Sequence, residues 1–389
     1  MFFRRKKDEP EFSQEDLDYL GRFNRFLSEA EMRQMEELKL QNKIDFGEAK
    51  IVMKLHGTKV IPAVRALSSE AEDFAEKCNL RVKKQVQKIL FERFAENAHH
   101  ALPQLIASHI VGMEDIKAAV ALQLFAKDPV HILLLGDPGT GKTDILRSAA
   151  DLAPIATFGL GSGTTGAGLV GTYKGFEFSP GLLPQAHQGI CAIDELNLLK
   201  EESRAGLYNA MEKGFVTYDK GGTHERMNAV VNILATANPK GDRFVETRRL
   251  WDVKKQIPFD PALMTRFHLV FLVNKPNTLQ FEQIAKSITE KSFDDATEAD
   301  TQFIKNYIAQ AKKLNVRFPK DLEQDIVTFV QLLKKQERTF LVEITPRTVV
   351  GFMNMVKASA RMNFRPKVEK QDIERVKLIF NRCLYTGLV

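Results

Sequence analysis

Cysteine and tryptophan are nearly absent, with three of the first and one of the second in 389 residues. Cys78, Cys191 and Cys383 stand far apart. No pair has the close spacing of a structural zinc site, so neither a zinc module nor a disulfide framework is expected. Long apolar runs are also missing. Nothing reaches the roughly 18 consecutive apolar residues of a membrane-crossing helix, so no membrane span is expected. The segment Met1-Phe2-Phe3-Arg4-Arg5-Lys6-Lys7 is basic but turns acidic without the apolar core of a secretory signal, which points to the cytoplasm, or to the nucleus in a eukaryote. No fixed-period repeat and no long low-complexity tract interrupts the chain.

What is present suits a large globular protein. Hydrophobic residues make up 44% and charged residues 27%, enough for two or three domains with substantial cores. The net charge of +6 permits an anionic partner such as nucleic acid or nucleotide without demonstrating one.

Residues 1–101 read as a charged, helical N-terminal module. Apolar residues recur at helical spacing over 71–98 (Phe74, Leu80, Val82, Val86, Ile89, Leu90), and no catalytic pattern appears there. From residue 102 the texture changes. A helix from Asp115 puts Ile116, Val120 and Leu124 on one face. Short apolar runs at 131–135, 189–193, 230–235 and 268–273 then alternate with helical segments. Such runs read as strands of a parallel sheet covered on both faces, an α/β three-layer αβα core over 102–275. After Pro276 strand signals stop. A helix opens at Thr345-Pro346, a preferred cap-and-proline start, with Val349, Phe352, Met353 and Val356 along its apolar stripe. A last helix carries Ile373, Val376 and Phe380. Residues 276–389 are expected to form a helical lid.

The strongest chemical signal is Gly136-Asp137-Pro138-Gly139-Thr140-Gly141-Lys142-Thr143. It fits the P-loop pattern and sits between an apolar strand and a helix, as that motif requires. Its glycines let backbone N–H groups turn toward phosphates, and the helix N-terminus adds partial positive charge. Lys142 can reach the β- and γ-phosphates of ATP, and the Thr143 hydroxyl can sit on Mg²⁺. A second signal, Ile190-Cys191-Ala192-Ile193-Asp194-Glu195, is an apolar strand ending in two carboxylates. Asp194 would hold Mg²⁺, and Glu195 would polarise an attacking water as general base. Such a strand alone is common; downstream of a P-loop it reads as catalytic.

Three signals are weaker, and the first two keep two readings each. The strand at 231–237 ends in Asn238-Pro239; Asn238 can orient the water, or simply make an Asn-Pro turn. Arg266, in Pro261-Ala262-Leu263-Met264-Thr265-Arg266-Phe267, is either a surface arginine or a finger inserted into a neighbour's nucleotide site. Arg347 opposes the dipole of the helix it begins, a mismatch that hints at a nearby anion such as phosphate.

The order and spacing of these elements resemble an AAA+ ATPase, and finer detail resembles the MCM replicative helicases. The segments "HIVGMEDIKAAVALQLF", "GDPGTGKT", "GSGTTGAGLVG", "ICAIDELNLL", "LYNAMEKGFVTYDKGGTHERMNAVVNILATANPKGDRF", "PALMTRFHLVFLV" and "ITPRTVVGFMNMVKASARMNFRPKVEKQDIERVKLI" carry the likeness from about residue 102 onward. The resemblance implies that Lys142, Thr143, Asp194, Glu195 and Asn238 serve one nucleotide. Arg266 and Arg347 would act across a subunit interface in a ring, by family expectation a hexamer. Lys220, on the hairpin before Asn238, would face DNA in the channel, although an ordinary exposed hairpin lysine is the other reading. The family's N-terminal OB-fold and zinc module find no counterpart, the hairpin at 171–178 is short, and Val230 stands where the family has an arginine. The competing reading is a remodelling ATPase like the MoxR or magnesium-chelatase motors, with residues 1–101 recruiting a protein client.

Overall fold

The computed structural model describes residues 49–56, 59–66, 87, 88, 90–174, 177–220, 223–245, 247, 249–273, 275, 281, 282, 286 and 298–384. They fall in two compact units, Met1–Asn97 with Thr297–Phe303, and Ala98–Ala296 with Ile304–Val389.

The first unit adds strands to a segment read as a helical module over residues 1–101. It holds an antiparallel hairpin, β1 (Ala49–His56) and β2 (Lys59–Ala66). Ile51, Val52, Val60, Ile61 and Val64 are β-branched and favour strands. His56 pairs with Lys59, so Gly57-Thr58 connects the strands, and Gly-X is a two-residue hairpin signal. Pro62 inside β2 obscured that pattern, since a proline argues against a strand. The helical spacing read over 71–98 lies outside the described residues as far as 86. Residues 90–95 are helical, and Phe91 and Phe94 meet Phe303 edge-on at centroid distances of 5.3 and 5.4 Å.

The second unit opens with α1 (Ala98–Leu105) and α2 (Glu114–Leu124) and continues through β3 (Ile132–Gly136), α3 (Lys142–Leu152), β4 (Ala156–Leu160), α4 (Gly166–Val170) and the hairpin β5 (Gly171–Lys174) and β6 (Glu177–Pro180). Then come α5 (Leu182–Gln185), β7 (Ile190–Asp194), α6 (Ala205–Lys213), the hairpin β8 (Phe215–Lys220) and β9 (Thr223–Asn228), β10 (Asn232–Ala237), α7 (Leu250–Lys255), α8 (Pro261–Met264) and β11 (Leu269–Val273). Five strands form one sheet in the order β11-β3-β10-β7-β4, every neighbouring pair parallel. β3, β7 and β10 are buried along their whole length, as expected of strands covered on both faces. Four strands coincide with the four apolar runs. β4 does not: it lies at the sheet edge, is half-buried, and includes Thr157 and Gly159, so no uniform apolar run marks it.

Parallel pairing gathers all strand C-termini at one edge. Val273 lies beside Gly136, and Leu160 beside Asp194. That edge receives the P-loop and the Asp194-Glu195 pair.

The lid contains α9 (Glu298–Lys312), α10 (Glu323–Gln336), α11 (Pro346–Met362) and α12 (Lys370–Leu384). Thr345 precedes α11, and its N–H donates to Thr348 Oγ1 at 3.1 Å. Phe352 lies between Phe329 and Phe380, at centroid distances of 4.9 and 5.2 Å. The fully buried Asp372 accepts from Arg365 Nη2 at 2.7 Å, Ser359 Oγ at 2.7 Å and Glu369 N at 2.9 Å. α12 returns to the sheet, where Cys383 Sγ accepts from Val270 N at 3.0 Å. Among the described residues no helix is long and apolar enough to cross a membrane.

Candidate active site

The P-loop leaves β3 where the chain must pass β11 closely: a Cβ on Gly136 would come within 2.1 Å of the Val273 carbonyl oxygen. Gly139 (φ +75°) takes the left-handed conformation that glycine adopts without steric cost, and a Cβ there would meet nothing. The loop therefore curls with an open inner side. Lys142 is folded back on the loop's own acceptors, donating to Asp137 O at 2.6 Å, Gly136 O at 2.9 Å and Thr140 Oγ1 at 3.3 Å. Burial lowers its ammonium to about 8, against the pull of Asp137, Asp194 and Glu195. The Asp137 carboxylate braces the loop from outside, accepting from Phe244 N at 2.7 Å and lying 3.8 Å from Lys275 Nζ.

Thr143 and Asp194 meet across the sheet edge. The Thr143 hydroxyl lies 3.1 and 3.0 Å from the two Asp194 carboxylate oxygens. One hydroxyl and one carboxylate, all oxygen, form a donor set that suits a hard divalent ion such as Mg²⁺, which binds few protein groups and keeps much of its water. Glu195 follows in the left-handed region (φ 52°, ψ 48°), uncommon for a residue with a side chain and often found at functional sites.

Two residues that the sequence motifs do not mark hold this geometry. The Thr236 hydroxyl donates to Asp194 and accepts from Glu195 N at 2.9 Å. Asn197 Oδ1 accepts from Asn238 N at 3.0 Å. One hydroxyl thus sets both carboxylate residues, and one amide fixes the backbone of Asn238. Their signals were a buried threonine among alanines on β10, and an asparagine just beyond Glu195.

Arg266 and Arg347 are not at this edge. His268 N and Leu269 N both donate to His131 O, so the start of β11 lies beside the start of β3, and Arg266 precedes that point. The P-loop leaves the other end of β3. Five residues of strand separate the two edges by about 15 Å at ~3.3 Å per residue, more than an arginine side chain spans. At the far edge the two arginines share one carboxylate. Arg266 Nη2 lies 2.7 Å from Glu212 Oε2, and Arg347 Nη2 lies 3.0 Å from Glu212 Oε1. The anion that the position of Arg347 called for is, within this chain, Glu212. Beneath them His131 and His268 stack at 5.0 Å, and His131 N donates to His268 Nδ1 at 2.9 Å. Burial, with Arg347 adding to it, pushes His268 down to about 4 and His131 well below its usual range.

Lys220 ends β8, with Thr223 as its cross-strand partner; the tip Gly221-Gly222 and the Lys220 side chain lie outside the described residues. The two hairpins pack on each other. Tyr173, Phe178 and Tyr218 form a ring cluster at 5.2 to 5.7 Å, and the Tyr173 hydroxyl donates to Glu225 Oε1 at 3.1 Å.

A family model described as the MCM P-loop domain matches residues 85–292, and one described as the MCM AAA-lid domain matches 302–384. The chain belongs to the MCM family. It is 31% identical over 295 residues to the minichromosome maintenance protein MCM of Saccharolobus solfataricus, a match covering 69% of this chain and 42% of that protein. It is 30% identical over 327 residues to DNA replication licensing factor mcm7 of Schizosaccharomyces pombe, covering 75% of this chain and 42% of that protein. DNA replication licensing factor MCM4 of Arabidopsis thaliana matches at 28% over 306 residues, 71% of this chain and 36% of that protein. This MCM chain thus spans less than half the length of these relatives. The parallel sheet with its P-loop and helical lid is the AAA+ fold that the sequence resemblance implied, and the matches favour the MCM reading over the MoxR or magnesium-chelatase alternative.

Proposed function

We propose that this chain is the ATP-hydrolysing motor of an MCM-type DNA helicase or translocase, working as a ring with ATP bound between subunits. The observation that carries the reading is the division of the catalytic set between two sheet edges. Lys142, Thr143, Asp194, Glu195 and Asn238 share one edge, while Arg266 and Arg347 stand at the other, paired with Glu212. A complete site then needs a second copy, whose arginine edge meets the first copy's nucleotide edge.

In this reading the P-loop backbone of 136–143 cradles the ATP phosphates, and Lys142 exchanges its loop carbonyls for phosphate oxygens. Thr143 and Asp194 hold Mg²⁺, which when bound neutralises phosphate charge. Glu195 takes the proton of the attacking water, and Asn238 orients that water toward the γ-phosphate. The neighbour's Arg266 and Arg347 stabilise the charge that develops on the transferring phosphoryl group. Lys220 at the β8–β9 tip contacts DNA phosphates, and the hairpin of 215–228 is coupled to the site through β10. Six copies would close the ring. The names of the relatives, minichromosome maintenance protein and DNA replication licensing factor, support DNA as the polymer and replication as the setting. A protein client or replication partner would dock on residues 1–101.

Steady-state ATP hydrolysis at fixed salt, with and without single-stranded DNA, tests the reading. Glu195→Gln is expected to abolish turnover. Lys220→Ala is expected to keep basal turnover and lose DNA stimulation. A wild-type rate indifferent to DNA at low salt would remove DNA as the polymer while leaving the ATPase.

A further inference from the structure

The two arginines at the far sheet edge do not stand alone. Arg266 and Arg347 carry like charges, come from the loop before β11 and from α11, and converge on one carboxylate. Glu212 gives one oxygen to each, Oε2 to Arg266 and Oε1 to Arg347. Glu212 is thus the one carboxylate shared by both arginines in the ion pairs of this cluster. The side chain of Glu212 is 42% exposed and that of Arg347 41%, so these two stand at the surface, while Arg266, 17% exposed, lies partly beneath them.

α6 is the platform. Tyr208 and Glu212 lie four residues apart on it, on one face. The Arg266 guanidinium stacks on Tyr208, its carbon 4.8 Å from the ring centroid. The Tyr208 hydroxyl donates to Asp260 Oδ2 at 3.2 Å, and Asp260 Oδ1 caps α8 by accepting from Leu263 N at 2.7 Å. The turn that leads to Arg266 is therefore tied to the same helix that carries Glu212. Arg266 Nη1 is held on Ala262 O at 2.5 Å, and its Nε is buried without an acceptor. Three contacts therefore set its orientation: the Tyr208 ring, the Ala262 carbonyl and the Nη2 contact with Glu212, of which only the last is an ion pair with both partners charged. The Glu212 carboxyl is held below its usual range, by Arg266 first and Arg347 second.

We infer that Glu212 is a positioning residue for catalysis: its carboxylate gathers Arg266 and Arg347 into one cluster that is presented together to the nucleotide of a neighbouring copy. The inference rests on the proposal that both arginines act across the interface. Glu212 touches neither substrate nor ion in its own subunit; it acts through the arginines. In the resting chain its oxygens occupy guanidinium donors that the neighbour's phosphate oxygens later take, so the pair is arranged before the nucleotide arrives.

The test uses two forms of the 389-residue chain. Lys142→Ala disables the nucleotide edge and keeps the arginine edge; the double variant Arg266→Ala/Arg347→Ala does the reverse. Each alone is expected to be inactive, and mixing them restores turnover at interfaces between unlike copies. Adding Glu212→Ala to the Lys142→Ala partner should lower the restored kcat by on the order of tenfold to a hundredfold, the scale of a misplaced catalytic group, with KM for ATP unchanged. Glu212→Gln, which keeps one acceptor oxygen, should recover part of that loss. Adding Glu212→Ala to the arginine-less partner should change nothing. If the plain mixture recovers no turnover, the cross-interface reading itself fails. If it recovers turnover and Glu212→Ala leaves it intact, Glu212 does not position the arginines. An equal loss from either partner would show that Glu212 holds the fold instead, and would also overturn the inference.

Discussion

Single side chains settle much of the chemistry at this site, and Thr236 is the clearest case. It joins Asp194 to the backbone of Glu195 through one hydroxyl. Thr236→Val keeps the shape and removes both bonds, leaving the Glu195 N–H without an acceptor at a cost of about 1–3 kcal/mol. Turnover should fall at least tenfold as Glu195 loses its fixed position, on the scale of misplaced catalytic groups, and Thr236→Ser should restore most of it. Urea unfolding and ATP turnover measured side by side check both halves; unchanged turnover would remove Thr236 from the site. The histidine pair gives a prediction in pH. An unfolded histidine titrates near its ordinary 6.5, whereas the folded chain holds His268 near 4 and His131 well below the ordinary value. As pH falls below 6.5 the unfolded chain takes up protons that the folded chain refuses, so their contribution is full above 6.5 and declines toward 4. Unfolding free energies from pH 8 to 5 should show this slope, and His268→Gln should reduce it, leaving the parts that His131 and His99 contribute. At this scale the P-loop, Asp194 and Glu195 were legible because their motifs are contiguous and their chemistry needs fixed spacing. Thr236, Asn197 and Glu212 were not, because their partners lie 41, 41 and 54 residues away and only the sheet brings them together.

Elements were legible where one physical signal dominated. Uninterrupted apolar runs marked four of the five sheet strands, and the Thr345-Pro346 start marked α11. β4 escaped because an edge strand need not be uniformly apolar, and the β1–β2 hairpin escaped because Pro62 inside β2 argues against a strand in spite of its β-branched neighbours. The pairing of the two hairpins was equally hidden, since it depends on three rings from three strands. That pairing predicts joint behaviour. Phe178 contacts both Tyr173 and Tyr218, at 5.2 and 5.7 Å. Phe178→Ala should therefore loosen β8–β9 as well as its own hairpin. Amide exchange should speed up in 171–180 and 215–228 together, while β3 and β7 keep their protection. Faster exchange confined to 171–180 would mean that the rings touch without coupling the hairpins.

At the scale of the whole molecule, the sheet turns a set of catalytic residues into an expectation about assembly. Under the proposed reading, the P-loop edge of one copy would meet the arginine edge of the next; such a contact joins two different surfaces, is head-to-tail, and forms a ring when the rotation closes. The sequence resemblance implied that interface; the parallel register that sets Val273 beside Gly136 and Leu269 beside Ile132 supplies the geometry, placing the two groups at opposite ends of the strands. Bound ATP should then act as part of the interface, because its γ-phosphate contributes acceptors that the neighbour's arginines reach. A ligand bound more tightly in the assembled state than by the single chain shifts assembly by mass action. Sedimentation velocity at fixed protein concentration should show ATP with Mg²⁺ moving the chain toward the assembled form, and EDTA reversing it. Glu195→Gln, which binds without turning over, should hold the assembled form longest. Lys142→Ala should lose the response by losing the nucleotide. Arg266→Ala/Arg347→Ala should lose it while still binding ATP, as measured by nucleotide fluorescence. That last variant is decisive: if it binds ATP and assembles as wild type does, the arginines do not read a neighbour's phosphate, and the far edge of the sheet is not the other half of the active site.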